Sequence, residues 1–162
     1  MRVKVGLVVL LLAIGVLLAI GLGGCAQPAK DFNLIPLDDQ ARSVSLADFK
    51  GKTVLLDFWA TWCGPCNKAM PEVQSVWNKY HSQGLEVVSI SRENRDLLVA
   101  FHNAEPYTYP VYVDPEGKAS DDYQVQQIPR FILIKDGKIV WDSEDAGYTA
   151  GEITQHVASA IG

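Results

Sequence analysis

Trp62-Cys63-Gly64-Pro65-Cys66 stands between a continuous apolar run, Val54-Leu55-Leu56-Asp57-Phe58-Trp59, and a stretch of helical periodicity that starts at Cys63. At the start of a helix, this cysteine spacing lets the two sulfurs meet across one turn and form a disulfide. The helix N-terminus presents unpaired N–H groups and partial positive charge, which favour a thiolate on Cys63. An easily ionised cysteine, with a second one in reach to displace it, is the machinery of thiol–disulfide exchange. Cys63 is the candidate nucleophile and Cys66, one turn deeper, the candidate resolving thiol. Gly64 and Pro65 set the loop between them, proline being preorganised for a helix start.

Other uses of the pair fit less well. A closed zinc site needs about four ligands, and no second Cys/His pair stands at zinc-ligand spacing. Attachment of a c-type haem needs a histidine directly after Cys66, where Asn67 stands. No metal and no cofactor is expected. A purely structural disulfide is the remaining alternative. His81, His102 and His156 are isolated and receive no role.

Asp57 is the one acid in the apolar run. Burial disfavours its charged form and raises its pKa. It is then suited to accept the proton of Cys66 when that thiol attacks. The bland alternative is a strand-end carboxylate that is solvated or hydrogen-bonded.

The chain has 162 residues, room for one domain, and a net charge of -5 with no basic stripe, which argues against nucleic acid. Its third cysteine, Cys25, has a separate explanation. Arg2 and Lys4 precede an unbroken apolar run from Val5 to Leu22, the pattern of export signals. The run is long for a signal peptide and near the lower limit for a spanning helix, so composition leaves both open. Leu22-Gly23-Gly24-Cys25 resembles the bacterial lipobox, in which the cysteine is lipidated and becomes the mature N-terminus. The expectation is a lipoprotein signal over 1–24, or else an uncleaved anchor, then a polar link over 25–30 and a folded domain over 31–162. Either way the domain is tethered outside the cytoplasmic membrane, in a periplasm or on the outer face of the cell.

Within the domain, Phe32–Leu37 and Arg42–Ser45 read as short strands joined by a turn at Asp38-Asp39. Val54–Trp59 reads as a strand buried on both faces. Ala69, Met70, Val73, Val76, Trp77 and Tyr80 recur at helical spacing up to about Ser82, with a kink expected at Pro71. Leu85–Ile90 is the next strand, completing a β-α-β unit. Asn94–Asn103 reads as a helix with Leu97, Leu98 and Phe101 inward. Pro110–Val113 is a strand and Lys118–Tyr123 a short helix. Pro129–Ile134 and Ile139–Trp141 form a hairpin about Asp136-Gly137. A final helix runs to Ile161 behind a capping box at Thr149–Glu152. This order describes an α/β domain, a mixed sheet covered by helices on both sides.

Asp57 through Cys66, with Pro71 following, resembles the active-site segment of thioredoxins. Ile128-Pro129, before an apolar strand and an Asp-Gly hairpin, is similar to the thioredoxin cis-proline loop. The extra N-terminal strands, the tether and the added strand near Val111 resemble the TlpA/ResA-type branch of exported, membrane-attached thiol–disulfide oxidoreductases. The resemblance implies a thioredoxin-like fold with an N-terminal strand extension and a central insertion. It implies a cis Pro129 facing the disulfide, with the Ile128–Pro129 loop offering backbone groups to a bound substrate strand. Trp62 would be partly exposed and belong to the docking surface, with Trp59 in the core. The implied partners are disulfide-containing extracytoplasmic proteins, apocytochrome c among them, and a membrane thiol electron donor. Two positions depart from the pattern. Ala69 stands where some members carry an acid, and Arg130 stands where thioredoxins usually have threonine.

The Gly-Pro pair matches thioredoxin, a reductant at about -270 mV, so reduction is the expected direction. A disulfide-forming oxidase is the alternative within the class. A thiol peroxidase of the same fold would need a Pro/Thr arrangement leading into the reactive cysteine, which Thr53 to Cys63 does not supply. A non-catalytic binding module would keep its activity with both cysteines replaced. Arg130 would lie near the thiols if Pro129 does; an ordinary solvated arginine is the alternative.

Overall fold

A computed structural model describes residues 26–144 and 149–162. The apolar run forms β2 (Thr53–Phe58), every residue of which is buried. Helix α1 (Gly64–Tyr80) follows and returns the chain to β3 (Leu85–Ser91), which pairs parallel to β2. Helix α2 (Arg95–Ala104) leads to β4 (Val111–Val113), parallel to β3. After the short helix α3 (Lys118–Asp122), β5 (Arg130–Lys135) pairs antiparallel to β2, and β6 (Lys138–Asp142) antiparallel to β5. Strand β1 (Ile35–Pro36) closes the other edge against β4, giving a mixed six-stranded sheet of order β1-β4-β3-β2-β5-β6. Helix α4 (Glu152–Ile161) is the last element. The architecture is a thioredoxin-like α/β sheet with helices on both faces.

Strand alternation divides the core in two. Val54, Leu56 and Phe58 meet Val88, Ile90, Ile132 and Ile134 on one face. Leu55, Val87 and Leu133 meet Ala69, Val73 and Val76 of α1, with Ile153 and Val157 of α4, on the other. Tyr80 is buried with that stripe, and Pro71 sits inside α1 without interrupting it. The hairpin turn has Asp136 and Gly137 both in the left-handed region, at φ 52° and 71°, as a tight two-residue turn requires.

Several elements differ from expectation. The two N-terminal strands shrink to β1 and one bridge between Leu34 and Val44. Pro36 has no N–H to extend β1 along the sheet edge. The supposed link is pinned to the hairpin: Gln27 O accepts from Ile139 N at 2.8 Å, and Ala29 N donates to Gly137 O at 2.9 Å. These bonds and the Pro28–Lys138 bridge cover the edge of β6, so ordered packing begins ahead of residue 31. In α2, Leu98 is buried but Leu97 points outward, 49% exposed. One helical position of rotation carries a side chain from the inner stripe to solvent.

The capping box before α4 is also absent. Its N-cap is Gly151, in the left-handed region at φ 89°, with no side-chain cap of its own. Glu72 of α1 supplies the acceptors instead, from Gly151 N at 2.9 Å and from Thr154 N and Oγ1 at 2.8 and 2.9 Å. One carboxylate thus caps a helix and ties it to α1. Glu72→Ala is expected to cost about 1–2 kcal/mol, read as a lower urea midpoint at unchanged slope. An unchanged midpoint would show that α4 needs no cap from α1.

The export segment and Cys25 lie outside the described residues. Among those described, no helix is long and apolar enough to cross a membrane.

Candidate active site

Strand β2 ends at Phe58, and the chain turns through Ala60–Trp62 to enter α1 at Cys63, the N-cap residue. Cys63 and Cys66 are joined by a disulfide with an S–S distance of 2.07 Å. The Cys63 sulfur accepts a hydrogen bond from Cys66 N at 3.2 Å. An N-cap sulfur held by a helix amide is stabilised as an anion once the pair is reduced. Pro65 occupies the first turn, where its missing N–H leaves no gap in the helix.

Cys63 and Cys66 are nearly covered, at 4% and 2%, whereas neighbouring Trp62 is 75% exposed. Gly64 and Pro65 are exposed as well. The Ile128–Pro129 peptide is cis, and Ile128 O lies 3.7 Å from the Cys63 sulfur. The motif and the proline loop, 65 residues apart in sequence, are therefore neighbours in space. A cleft of about 510 Å³ opens beside them, lined by Trp59, Trp62, Ile90, Glu93, Gln127 and Ile128.

Asp57 is 3% exposed, and burial pushes its carboxyl up to about 7 against a lowering hydrogen bond from Ser89. Ser89 Oγ donates to Asp57 Oδ2 at 2.9 Å across the β2–β3 pair. By alternation Asp57 shares a face with Leu55, the face that packs on α1, the helix bearing Cys66. A carboxyl that titrates near neutrality on the helix side of the sheet can give or take a proton at physiological pH.

Arg130 is not an ordinary solvated arginine, since its side chain is largely buried and turned to the hairpin. Its guanidinium donates to Asp142 Oδ1 at 3.0 Å and Oδ2 at 2.8 Å, and to Gln124 O at 2.9 Å. This bidentate pair holds the start of β5 to the end of β6.

Two supports of the site were not anticipated. Glu93, just past β3, accepts from Thr61 N at 2.6 Å and Thr61 Oγ1 at 2.8 Å. Asn67 Nδ2 donates to Thr61 O at 3.2 Å. The turn preceding the motif is thus fastened on both its donor and acceptor sides. Ser89 is the other support. Its signal in the sequence was a hydroxyl inside the apolar strand Leu85–Ile90, though only the register sets it opposite Asp57.

The AhpC/TSA family model matches residues 25–142. The chain belongs to the AhpC/TSA family. The thiol-disulfide oxidoreductase ResA of Bacillus thuringiensis subsp. konkukian strain 97-27 is 36% identical over 110 residues, 67% of this chain and 64% of that relative. ResA of Bacillus subtilis strain 168 is 34% identical over 110 residues, 67% of this chain and 62% of that one. The chain therefore spans less than two thirds of the length of these curated relatives. Among solved structures, a protein assigned as thiol:disulfide interchange protein DsbE from Chlorobium tepidum superposes with a TM-score of 0.76 at 30% identity, covering 85% of this chain and 97% of that one. The pneumococcal exposed lipoprotein thioredoxin of Streptococcus pneumoniae strain TIGR4 gives 0.69 at 27% identity, covering 80% and 99%. The resemblance to the ResA-type branch and the thioredoxin-like fold are both borne out.

Proposed function

We propose that this protein is an exported, membrane-tethered thiol–disulfide oxidoreductase that reduces disulfides in extracytoplasmic proteins, apocytochrome c among its clients. The observation that carries the redox reading is the Cys63–Cys66 disulfide at the head of α1, bordered by exposed Trp62 and by Ile128 O. The ResA and DsbE relatives, a thiol-disulfide oxidoreductase and a thiol:disulfide interchange protein, support the same chemistry. For the tether, support comes from the basic and apolar N-terminus, from Cys25 and its preceding residues, and from a structural relative that is itself an exposed lipoprotein.

In the reduced protein, the Cys63 thiolate attacks a client disulfide, forming a mixed disulfide and releasing one client thiolate. Cys66 then loses its proton to Asp57 and attacks the Cys63 sulfur. The Cys63–Cys66 bond forms, the second client sulfur leaves, and two electrons have passed to the client. Trp62 and the Ile128–Pro129 backbone hold the client chain beside the sulfurs. Electrons to reduce the pair again come from a membrane thiol donor, since this chain carries no further thiol pair.

The direction is tested by the reduction potential of a form beginning at Ala26, equilibrated in glutathione or dithiothreitol buffers. A value near about -270 mV is expected for a reductant. A value near about -120 mV would mean that the protein forms disulfides instead.

A further inference from the structure

We infer that Ser89 is a positioning residue for the resolving step: its hydroxyl holds the Asp57 carboxylate and so governs how readily that carboxylate receives the Cys66 proton. The inference rests on the reading of Asp57 as the base. It goes beyond that reading by naming the group that makes so buried a base usable.

The geometry is specific. Ser89 is fully buried, and the β2–β3 register sets it directly opposite Asp57. Its Oγ–Oδ2 distance is 2.9 Å. The groups that face Asp57 are few. From β3 comes Ser89 and from β5 the apolar Phe131 at register with it, on the face of the sheet that packs against α1. From the turn before β4 comes Tyr109, buried at 2%, whose phenol burial and the Asp57 charge hold well above its ordinary pKa. No lysine, arginine or histidine pairs with Asp57 among the described residues; the lowering influence on its carboxyl is the Ser89 hydrogen bond. A charge in a water-poor interior needs donors. Ser89 provides one that is neutral, so it assists the carboxylate without fixing it permanently in the ionised form, as a buried cation would. The base can then cycle between its two protonation states as Cys66 opens and closes its bond.

The full chain in detergent tests this with two readouts. The first is the titration of the Asp57 side-chain carbon by NMR in the oxidised protein, assigned by its loss in Asp57→Asn. The second is the reaction of reduced protein with the aromatic disulfide of Ellman's reagent. One thionitrobenzoate leaves when Cys63 forms the mixed disulfide, and a second leaves, in a first-order step, when Cys66 resolves it. In Ser89→Ala, the Asp57 carboxyl is expected to titrate at higher pH. The second release at pH 7 should slow by roughly tenfold, the scale of one lost charge-assisted hydrogen bond, and recover as pH rises. The first release should keep its rate. Ser89→Thr and Ser89→Val match in shape and differ by the hydroxyl, so the threonine form should behave as wild type and the valine form as alanine. An Asp57 carboxyl that titrates as in wild type overturns the inference. A carboxyl that moves while the second release is unchanged, in Asp57→Asn as well, overturns the base role of Asp57 and with it any use of Ser89 in the reaction.

Discussion

Cys63→Ser is expected to abolish disulfide exchange, leaving the rate of the uncatalysed reaction, while Cys66→Ser is expected to leave the first attack intact and to trap the protein on its clients. Exposure does not separate the two thiols, since both are nearly covered. Their surroundings do. Cys63 is the N-cap, its sulfur already receives a helix amide, and a backbone carbonyl of the proline loop stands beside it. In the proposed mechanism a client strand lying along that loop meets Cys63 first. Cys66 lies one turn inside, packed with Trp59, Ala60 and Met70. In the proposed mechanism it attacks the Cys63 sulfur once that sulfur is bonded to a client. The check is reduction of insulin by each variant, with non-reducing electrophoresis for trapped adducts. Full activity in Cys63→Ser, or an absence of adducts with Cys66→Ser, would overturn the order of attack.

The parts of this site that could be read in the sequence are local or carried by strong patterns. The motif fixes the helix start because Cys63, Gly64 and Pro65 each suit their positions at an N-terminus. Val54–Phe58 announces a strand buried on both faces, and Ala69 through Tyr80 announce the helix above it. The proline loop was placed beside the motif by family resemblance, since no local pattern joins Ile128 to Cys63. What could not be read is held by single polar contacts between distant segments. Glu93 to Thr61 and Ser89 to Asp57 each span 32 residues, and Glu72 to Gly151 spans 79. Such contacts depend on sheet register and helix placement, which hydrophobic periodicity leaves undetermined to within a residue. Arg130 shows the same limit. Its partner Asp142 becomes a neighbour only once the hairpin closes.

Asp57→Asn should slow the resolving step and, as pH rises above about 4, make the protein increasingly more stable than wild type. The folded carboxyl titrates at about 7, against an ordinary value of 3.8, because it is buried. Between those limits the unfolded chain is ionised at this position and the folded chain still holds its proton. The unfolded state then binds fewer protons, so wild-type stability falls as pH rises, by about 1.4 kcal/mol per pH unit. The loss is complete once pH passes the folded value, and amounts to about 4 kcal/mol in all. Asparagine has no charge to bury and can still accept the Ser89 hydrogen bond. Wild type and Asp57→Asn should be equally stable near pH 4 and diverge to that full difference by pH 8, in urea unfolding of the oxidised protein. Taking the difference between the two cancels every other titrating group. A gap that does not change with pH would mean that Asp57 is not held protonated by burial. A gap that opens as expected, together with a slowed second release of thionitrobenzoate, would mean that the chain retains a destabilising acid in its core because the chemistry at Cys66 requires a base there.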